Sequence, residues 1–444
     1  MGSAARVMTR CLDGARTNPD VYDVAAMCAS RAVEPPPLDH RNARVGRRVL
    51  LVVLVTVFLD AVGFGIVIPL LPLYAMSMDT SELTAGVILA SYSAAQALST
   101  PALGSLSDRY GRRPIILLSL AGGAASMALF AIAASANAVW LLIVARMCAG
   151  ATAGNLAACQ AAIADITDES RRAGAMGTLG VGLGLGLMVG PALGGALIDH
   201  FGPLAPPIGA CVLLAIDFLL AVFLATETRP PSEMRSIPGP RMQIRTVLAE
   251  RRMAIVLAIT FAAYVTQTSM QTAFPLLVVE RLGWRPGQIG YMFAGFGFLL
   301  FLVQGLLVGR VSRRTGELPL LVWGVLLEIA GMLCIAFGPG SLEVMLGGLL
   351  VGVGIGITNP VLAALASKLA SPEQQGAALG IAQSMGSVAR TFGPVCSGLL
   401  YQLLGAPAPF VGGAIAMAVG CVLALDLRRR MGVAATRAAT ASAA

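Results

Sequence analysis

The chain has 444 residues, of which 57% are hydrophobic and 12% charged, and its formal net charge is +8. Soluble domains carry about 25% charged residues, so this chain cannot cover its surface with polar groups in water. Together with a mean hydropathy of +0.79, this composition argues against a water-soluble enzyme and predicts a protein solvated by lipid. Long apolar runs, rather than short alternating ones, also argue against a porin-type barrel.

Scarce residue types exclude several kinds of chemistry. Lys368 is the only lysine and is followed by Leu369, so the chain has no phosphate-binding loop ending in Lys-Ser or Lys-Thr. Two histidines, His40 and His200, and eight scattered cysteines provide no metal-binding spacing. No Ser/His or Asp/Asp pair stands at catalytic spacing. We therefore expect no enzyme, no metal site and no bound cofactor.

Apolar stretches long enough to cross a bilayer recur along the chain. A membrane helix needs about 20 consecutive, mainly apolar residues. The sequence predicts an all-α membrane protein with twelve transmembrane helices. The predicted spans are 48–75, 84–105, 113–134, 138–162, 172–198, 205–225, 253–279, 287–309, 318–337, 341–367, 374–401 and 406–427.

The distribution of basic residues predicts the orientation. Cytoplasmic loops of membrane proteins are enriched in Lys and Arg. With the N-terminus in the cytoplasm, only Arg281 and Arg285 fall on the outer side, and Arg146 and Arg390 fall inside helices. We therefore predict that both termini are cytoplasmic, and the Arg- and Ala-rich composition favours a bacterial inner membrane. The positive charge then faces anionic lipid and does not indicate nucleic-acid binding.

The second half of the chain repeats the first. A shift of about 203 residues places Phe58 on Phe261 and Pro191 on Pro394. Two six-helix halves repeated in parallel are typical of the major facilitator arrangement, in which a central cavity opens alternately to each side of the membrane. We expect the protein to act as a monomer.

The repeat and the polar segments predict the domain organisation. Residues 1–46 lack an apolar stretch typical of a signal peptide, and their Pro-rich, charged sequence predicts a disordered basic cytoplasmic tail. The remaining predicted divisions are an N-terminal six-helix bundle (47–225), a cytoplasmic linker (226–252), a C-terminal six-helix bundle (253–427) and a cytoplasmic tail (428–444).

A glycine- and charge-rich string lies between the second and third spans. Residues 104–113 read Gly-Ser-Leu-Ser-Asp-Arg-Tyr-Gly-Arg-Arg and resemble the loop motif of the major facilitator superfamily. The resemblance implies a cytoplasmic gate, and the alternative is a plain positive-inside anchor. The second copy, 309–316, has Arg313 where the aspartate would stand. The residues assigned to the gate by resemblance are Gly104, Asp108, Arg109, Gly111, Arg112 and Arg113, with Asp165 joining them in a charge cluster.

The fifth span is rich in glycine and holds one proline. Small residues allow membrane helices to approach closely, and proline bends a helix. The sequence from Gly190 to Gly195 reads Gly-Pro-Ala-Leu-Gly-Gly and resembles the helix-five motif of drug antiporters. The residues of this motif are Gly190, Pro191, Gly194 and Gly195.

Two charged residues lie deep in the first and fourth spans. A carboxylate at the depth of Asp60 is costly in a membrane, so we expect it to face the cavity, either protonated or paired with a cation. Arg146 begins an Arg-x-x-x-Gly pattern that resembles drug antiporters. Together the motifs resemble most the tetracycline-efflux group of drug–proton antiporters, which implies that Asp60 and Arg146 couple transport to protons. The alternatives are a helix-packing carboxylate and a structural tether between helices.

Other polar residues in the membrane spans are candidate substrate contacts. In the third span Ser126 stands where the tetracycline group carries a carboxylate, which makes tetracycline itself doubtful as a substrate. Polar residues sharing a helix face usually point to a cavity, although they can also hold helices together. The candidates are Tyr264, Gln267 and Gln271, then Gln383, Ser387 and Arg390, and the two carboxylates Asp217 and Glu328.

These features favour a proton-coupled antiporter that exports drug-like amphipathic small molecules. Its expected partners are the substrate, protons and the lipid bilayer, and the proton gradient is expected to drive it. An alternative with the same fold is a proton-coupled sugar or metabolite transporter. An alternative of another class is a receptor-like membrane protein that transports nothing.

Overall fold

A computed structural model of the chain describes residues 40–167, 169–228, 250–370 and 375–443. The chain divides into two units, Met1–Arg48 and Val49–Ala444, and the architecture below concerns the second. Residues 1–39 of the predicted tail and 229–249 of the predicted linker lie outside the described residues.

The described residues form helices joined by short turns. A helix pairs nearly all of its backbone N–H and C=O groups within itself, which a lipid environment requires. The helices are α1 (His40–Val67, continued by a 3-10 turn at Ile68–Leu70 and by Leu71–Ser77), α2 (Glu82–Tyr110), α3 (Arg112–Ser135), α4 (Val139–Ala151 and Asn155–Ile166), α5 (Glu169–Phe201), α6 (Ala205–Leu224), α7 (Arg251–Leu282), α8 (Pro286–Leu302, a π-helical stretch at Val303–Val308, and Gly309–Thr315), α9 (Glu317–Phe337), α10 (Ser341–Leu369), α11 (Gln375–Leu404) and α12 (Ala408–Ala443).

Ten of these helices are long and apolar enough, over their described residues, to cross a membrane. The two that are not, α2 and α11, are long but carry Ser, Thr, Gln or Arg along their length. They pack against each other, and side chains from both line a central cavity. Some of their polar residues, Gln96 and Arg390 among them, therefore face the cavity rather than lipid, and a count of twelve membrane-spanning helices stays a prediction.

The helices group into an N-terminal half, α1–α6, and a C-terminal half, α7–α12, each with its own apolar clusters. The halves meet where α2 packs on α11 and where α5 packs on α8. In the first pair a Cβ atom on Gly86 would lie 2.2 Å from the carbonyl oxygen of Pro394, and one on Gly398 would lie 2.3 Å from that of Glu82. Only glycine permits this approach of the two backbones.

Glycines also allow a close approach of the backbones where α5 packs on α8. A Cβ atom on Gly195 would lie 3.0 Å from the Cα atom of Gly287, and one on Gly290 would lie 2.4 Å from the carbonyl oxygen of Pro191. Asp199, near the end of α5, accepts a hydrogen bond of 3.0 Å from the backbone N–H of Gly287. A carboxylate of one half thus caps the first turn of a helix in the other half.

The opposite end of the same helices is open. We call it the basic end, because arginines lie in the last turns of α2 and α8 and at the start of α3. Toward this end several glycines of α2, α5 and α8 have no atom within 4 Å of a built Cβ position, and they are Gly104, Gly174, Gly177, Gly180, Gly305 and Gly309. The halves are therefore packed together at one end and separated at the basic end, with the cavity between them.

We expect Gly86→Ala to destabilise the protein, because its methyl group would collide with the carbonyl oxygen of Pro394. Overpacking of this kind costs about 1–3 kcal/mol. Gly420→Ala is the matched control, because the nearest atom to its Cβ position is 3.7 Å away, at Ile259. Thermal unfolding in detergent should show a lower melting temperature for the first variant alone. Equal melting temperatures would contradict the packing described for α2 and α11.

Candidate functional site

A cavity of about 460 Å³ lies between the two halves. Its walls come from both halves, and its surface is mainly apolar and aromatic, with amide and hydroxyl groups interspersed. Among the described residues that line it, three are charged, and they are Asp60, Arg146 and Arg390. The space suits a small molecule with an aromatic or aliphatic body and a few polar groups.

Asp60 lies midway along α1 and its carboxylate reaches the cavity. Its partner is Asn155, whose Nδ2 donates a hydrogen bond of 3.1 Å to Oδ2 of Asp60. Asn155 is in turn buried, and its Oδ1 accepts a contact of 3.4 Å from the thiol of Cys159. Neither Asp60 nor Arg146 takes part in an ion pair within the described residues, so an ion pair between them is not formed. A neutral amide steadies the carboxylate instead.

A break in α4 places Asn155 at this position. The predicted span over 138–162 corresponds to Val139–Ile166, but the helix stops at Ala151 and resumes at Asn155, an interruption that the sequence did not predict. At the break, the backbone N–H of Gly154 donates to Oγ of Ser119 at 3.3 Å. Asn155 was missed from the sequence, although the Gly-Ala-Thr-Ala-Gly string that ends at Gly154 is a signal of weakened helix.

Arg146 is 3% exposed and lies on the cavity wall. The carbon of its guanidinium group is 4.6 Å from the ring centroid of Tyr92. An aromatic face attracts a cation, and the attraction is stronger where water is excluded. The Nε atom of Arg146 has no hydrogen-bond partner. The sequence did not indicate a partner for this arginine, and the structure gives it the aromatic ring of Tyr92.

The C-terminal half presents a similar arrangement on α7 and α11. The guanidinium of Arg390 lies 4.9 Å from the ring centroid of Tyr264, and its Nη2 donates to Oγ of Ser387 at 3.2 Å. Gln267 and Gln271, on the same face of α7 as Tyr264, also line the cavity. The polar stripe predicted on α7 therefore faces the cavity.

Both extra carboxylates lie away from the cavity. Asp217 and Glu328 have no exposed surface and do not belong to its lining, so their prediction as cavity residues is wrong. Asp217 lies beside Thr56 within the N-terminal half, and Glu328 lies beside Thr358 within the C-terminal half. A helix face is set by its packing partners, which the residue types alone did not specify.

Two other predicted contacts on α11 also fall outside the lining. Gln383 and Ser387 are not part of the cavity surface, and Oγ of Ser387 accepts a hydrogen bond from Arg390 and donates one to the carbonyl oxygen of Gln383. Ser126 is 2% exposed and donates a hydrogen bond of 2.6 Å to the carbonyl oxygen of Gly122 in its own helix. No carboxylate or hydroxyl enters the cavity from this position.

At the basic end, the residues of the 104–113 string form a charge cluster. Arg112 donates to Oδ1 of Asp108 at 2.7 Å and to Oδ2 of Asp165 at 2.9 Å, and the arginine is 8% exposed. A further bond of 3.2 Å joins it to Oγ of Ser107. These contacts tie the ends of α2 and α4 to the start of α3. Arg109, by contrast, lies exposed over the ring of Tyr110.

The string is helical where a loop was predicted. Helix α2 runs to Tyr110 and α3 begins at Arg112, so the connection is Gly111 alone, at φ +100°. The carboxylate of Glu227, which sequence analysis did not single out, accepts from the backbone N–H groups of Arg112 at 2.9 Å and Arg113 at 3.1 Å. The N-terminus of α3 is thereby capped by a residue distant in sequence.

Comparison with known proteins agrees with this architecture. The family model described as Major Facilitator Superfamily matches residues 53–266 and, a second time, 256–442. The chain belongs to the major facilitator superfamily. Its two matches correspond to the two halves of the structure.

Relatives of this transporter include known resistance proteins. It is 32% identical over 358 residues to the tetracycline resistance protein, class B, of Escherichia coli, which covers 79% of this chain and 88% of that protein. It is 26% identical over 377 residues to multidrug resistance protein 1 of Bacillus subtilis, covering 85% of this chain and 95% of that protein. The crystal structure of the human organic anion transporter MFSD10 matches with 25% identity and a TM-score of 0.63, covering 88% of this chain and all of that one.

The internal repeat of the transporter extends to its turns. Gly316 separates α8 from α9 at φ +81°, as Gly111 separates α2 from α3. The charge cluster around Arg112 has no counterpart beside Gly316. Within the described residues Arg313 is exposed without an ion pair, and Lys368 pairs with Glu317 at 2.6 Å. The turn geometry is conserved between the halves while the charges differ.

The helix-five motif of the transporter works by close contact. A Cβ atom on Gly190 would lie 2.7 Å from the carbonyl oxygen of Val62, and one on Gly194 would lie 2.1 Å from that of Ile66. Because Gly195 contacts α8, this stretch of α5 packs between α1 and the C-terminal half. The glycines of this motif therefore close the end of the cavity opposite the basic end.

Arg112→Gln should destabilise the transporter, because it removes the cation that Asp108 and Asp165 share. Hydrogen bonds to charged groups contribute about 1.5–3 kcal/mol, and partial exposure of the carboxylates reduces that. Arg109→Gln is the control, since Arg109 is exposed and forms no ion pair within the described residues. Chemical or thermal unfolding in detergent provides the measurement. A loss of stability that is as large for Arg109→Gln would refute the assignment.

Proposed function

We propose that this transporter exports amphipathic small molecules in exchange for protons. The observation that carries the proposal is Asp60, a carboxylate on the cavity wall held by an amide rather than by a cation. Such a group can gain or lose a proton without first breaking an ion pair. Relatives named as tetracycline and multidrug resistance proteins support export of drug-like compounds.

Protonation of Asp60 changes the charge of the cavity and so changes the relative free energies of the states in which it opens to either side. When the carboxylate is ionised, a polar or cationic group of the substrate can bind there. When it is protonated, that group loses its partner. Exchange follows if the proton enters from one side of the membrane and the substrate from the other. The driving force is then the proton gradient, and no bound cofactor is required.

The substrates that we propose are amphipathic compounds as a class rather than tetracycline itself. Ser126 stands where the tetracycline group carries a carboxylate, and it is bonded within its own helix. The aromatic rings that line the cavity, among them Phe64 and Phe293, suit a flat apolar body.

We further propose that the basic end faces the cytoplasm of a bacterium and that the protein lies in the inner membrane as a monomer. The positive-inside rule supports this orientation, because the turns with Arg109, Arg112 and Arg313 lie at one end. The cavity would then be open to the cytoplasm in this structure, as an exporter requires when it loads substrate. This role is transport and not catalysis.

Asp60→Asn should abolish proton-driven export and leave the protein folded, because an amide of the same shape cannot take up a proton at neutral pH. Substrate uptake into energised inverted vesicles, with and without a pH gradient, provides the measurement, because export from the cytoplasm becomes uptake when the membrane is inverted. Asp79→Asn is the matched control: Asp79 is exposed in a turn at φ 54°, a conformation that Asn tolerates. Gradient-driven export at the normal rate by Asp60→Asn would refute the coupling role of this carboxylate.

The proposed orientation predicts the outcome of reporter fusions made after Leu427. Green fluorescent protein fused there should fluoresce, because it folds in the cytoplasm. Alkaline phosphatase at the same position should be inactive, because it requires the periplasm. As a control, both reporters fused after Leu282, at the other end of α7, should give the reverse pattern. The same pattern at both sites would contradict the topology.

A further inference from the structure

The cavity wall carries more positive than negative groups. Two of its three charged groups are guanidinium groups, and the single carboxylate, Asp60, is engaged by Asn155. Both arginines lie against aromatic faces, and neither has a carboxylate partner within the described residues. A cation placed in such low-dielectric surroundings creates a strong local field, which favours an anion.

The two guanidinium groups come from opposite halves, and both residues line the same cavity. Arg146 lies over Tyr92 of the N-terminal half, and Arg390 lies over Tyr264 of the C-terminal half. Stacking on a ring uses the face of a guanidinium and leaves its N–H edge free for hydrogen bonds. Within the described residues the guanidinium group of Arg146 makes no hydrogen bond, and the one side-chain bond of Arg390 is to Ser387. Since Nε of Arg146 is enclosed by protein atoms, its terminal Nη groups are the ones that a ligand in the cavity can satisfy.

We propose that Arg146 and Arg390 form an anion-binding pair that spans the cavity, and that the preferred substrates are amphoteric aromatic compounds carrying one anionic group and one basic group. The anionic group, a carboxylate for example, binds between the two guanidinium groups by charge-assisted hydrogen bonds. The basic group binds at Asp60. This inference rests on the proposed proton exchange and specifies its substrate class.

The need for a basic group follows from linkage. A bound anion would raise the affinity of Asp60 for a proton. A proton on Asp60 would raise the affinity of the arginines for the anion by the same factor. A simple anion and a proton would then be carried together rather than exchanged. A basic group at Asp60 competes with the proton directly, so a compound with both groups satisfies the arginines and still drives exchange.

Three probes built on one coumarin fluorophore test this assignment. The first carries an amine and a carboxylate, the second is its ethyl ester and keeps only the amine, and the third is its N-acetyl form and keeps only the carboxylate. Binding to purified full-length protein at pH 7 is followed by fluorescence anisotropy. We expect the amphoteric probe to bind about tenfold or more tightly than the ester, the factor that a charge-assisted hydrogen bond provides.

The variant Arg390→Gln tests whether a probe's anionic group binds to the arginine pair or whether the probe binds to the cavity in general. It should weaken binding of the amphoteric and N-acetyl probes about tenfold and leave the ester unchanged. Arg390→Lys should keep part of the affinity, because it retains the charge, and Arg310→Gln, on the exposed basic end, should change none of the three. Tighter binding of the ester than of the amphoteric probe, equal loss for all three probes in Arg390→Gln, or no binding of any probe by the wild type would overturn the assignment.

Transport in proteoliposomes keeps this inference distinct from the proposed function. Amphoteric-probe export that depends on the pH gradient supports both. Binding with the expected preference but without gradient-driven transport would overturn proton exchange and leave the anion-binding pair in place. Gradient-driven transport of the ester, with no preference for the amphoteric probe, would overturn the pair and leave proton exchange in place.

Discussion

The structure depends on keeping three charged side chains in a cavity that lipid-facing helices enclose. An unpaired charge in a low-dielectric environment costs several kcal/mol, so each needs a compensating partner. Here the partners are neutral: an amide for Asp60 and aromatic rings for Arg146 and Arg390. Neutral partners hold the side chains in position without cancelling their charge. The cavity consequently retains an electrostatic field that a proton or a ligand can change.

Positioning these partners requires the backbone to depart from regular helix. The break in α4 places Asn155 opposite Asp60, and the backbone it frees is satisfied by Ser119. Such irregular backbone is tolerated at membrane depth only where it is buried in protein or lines a cavity. Both conditions hold here, since Ser119 and Asn155 are buried and both border the cavity. The geometry of the site and the interruption of the helix are therefore one feature.

Sequence reasoning located the elements that periodicity and composition control. Among the described residues, the all-helical architecture and the cavity positions of Asp60, Tyr264 and Arg390 followed from apolar runs and polar stripes. It failed where tertiary packing decides. The rotation of α6 and α9 about their axes turns Asp217 and Glu328 into the bundles, and nothing local in the sequence fixes that rotation.

Partner choice was a second source of error. The sequence left open whether Asp60 is protonated or paired with a cation, and it gave no sign that an amide would hold Asp60 or that a ring would hold Arg146. Tyr92 and Asn155 carry no formal charge, so a search for charged motifs passes over them. Glu227 was missed for a different reason: it lies far along the chain from the helix that it caps. Contacts of this kind become visible only once the topology is known.

Several helix glycines at the basic end make no close contact in this structure. The difference in packing between the two ends accounts for their presence. Glycine within a helix costs about 0.5–1 kcal/mol relative to alanine, so a helix that retains it needs a compensating contact. At the closed end Gly86, Gly194 and Gly290 have that contact, against backbone carbonyl oxygens. At the basic end Gly177 and Gly305 have none, although they lie on the same helices. Their cost is unexplained by this state alone, and it is accounted for if the same surfaces pack when the basic end closes, as alternating access in this superfamily requires.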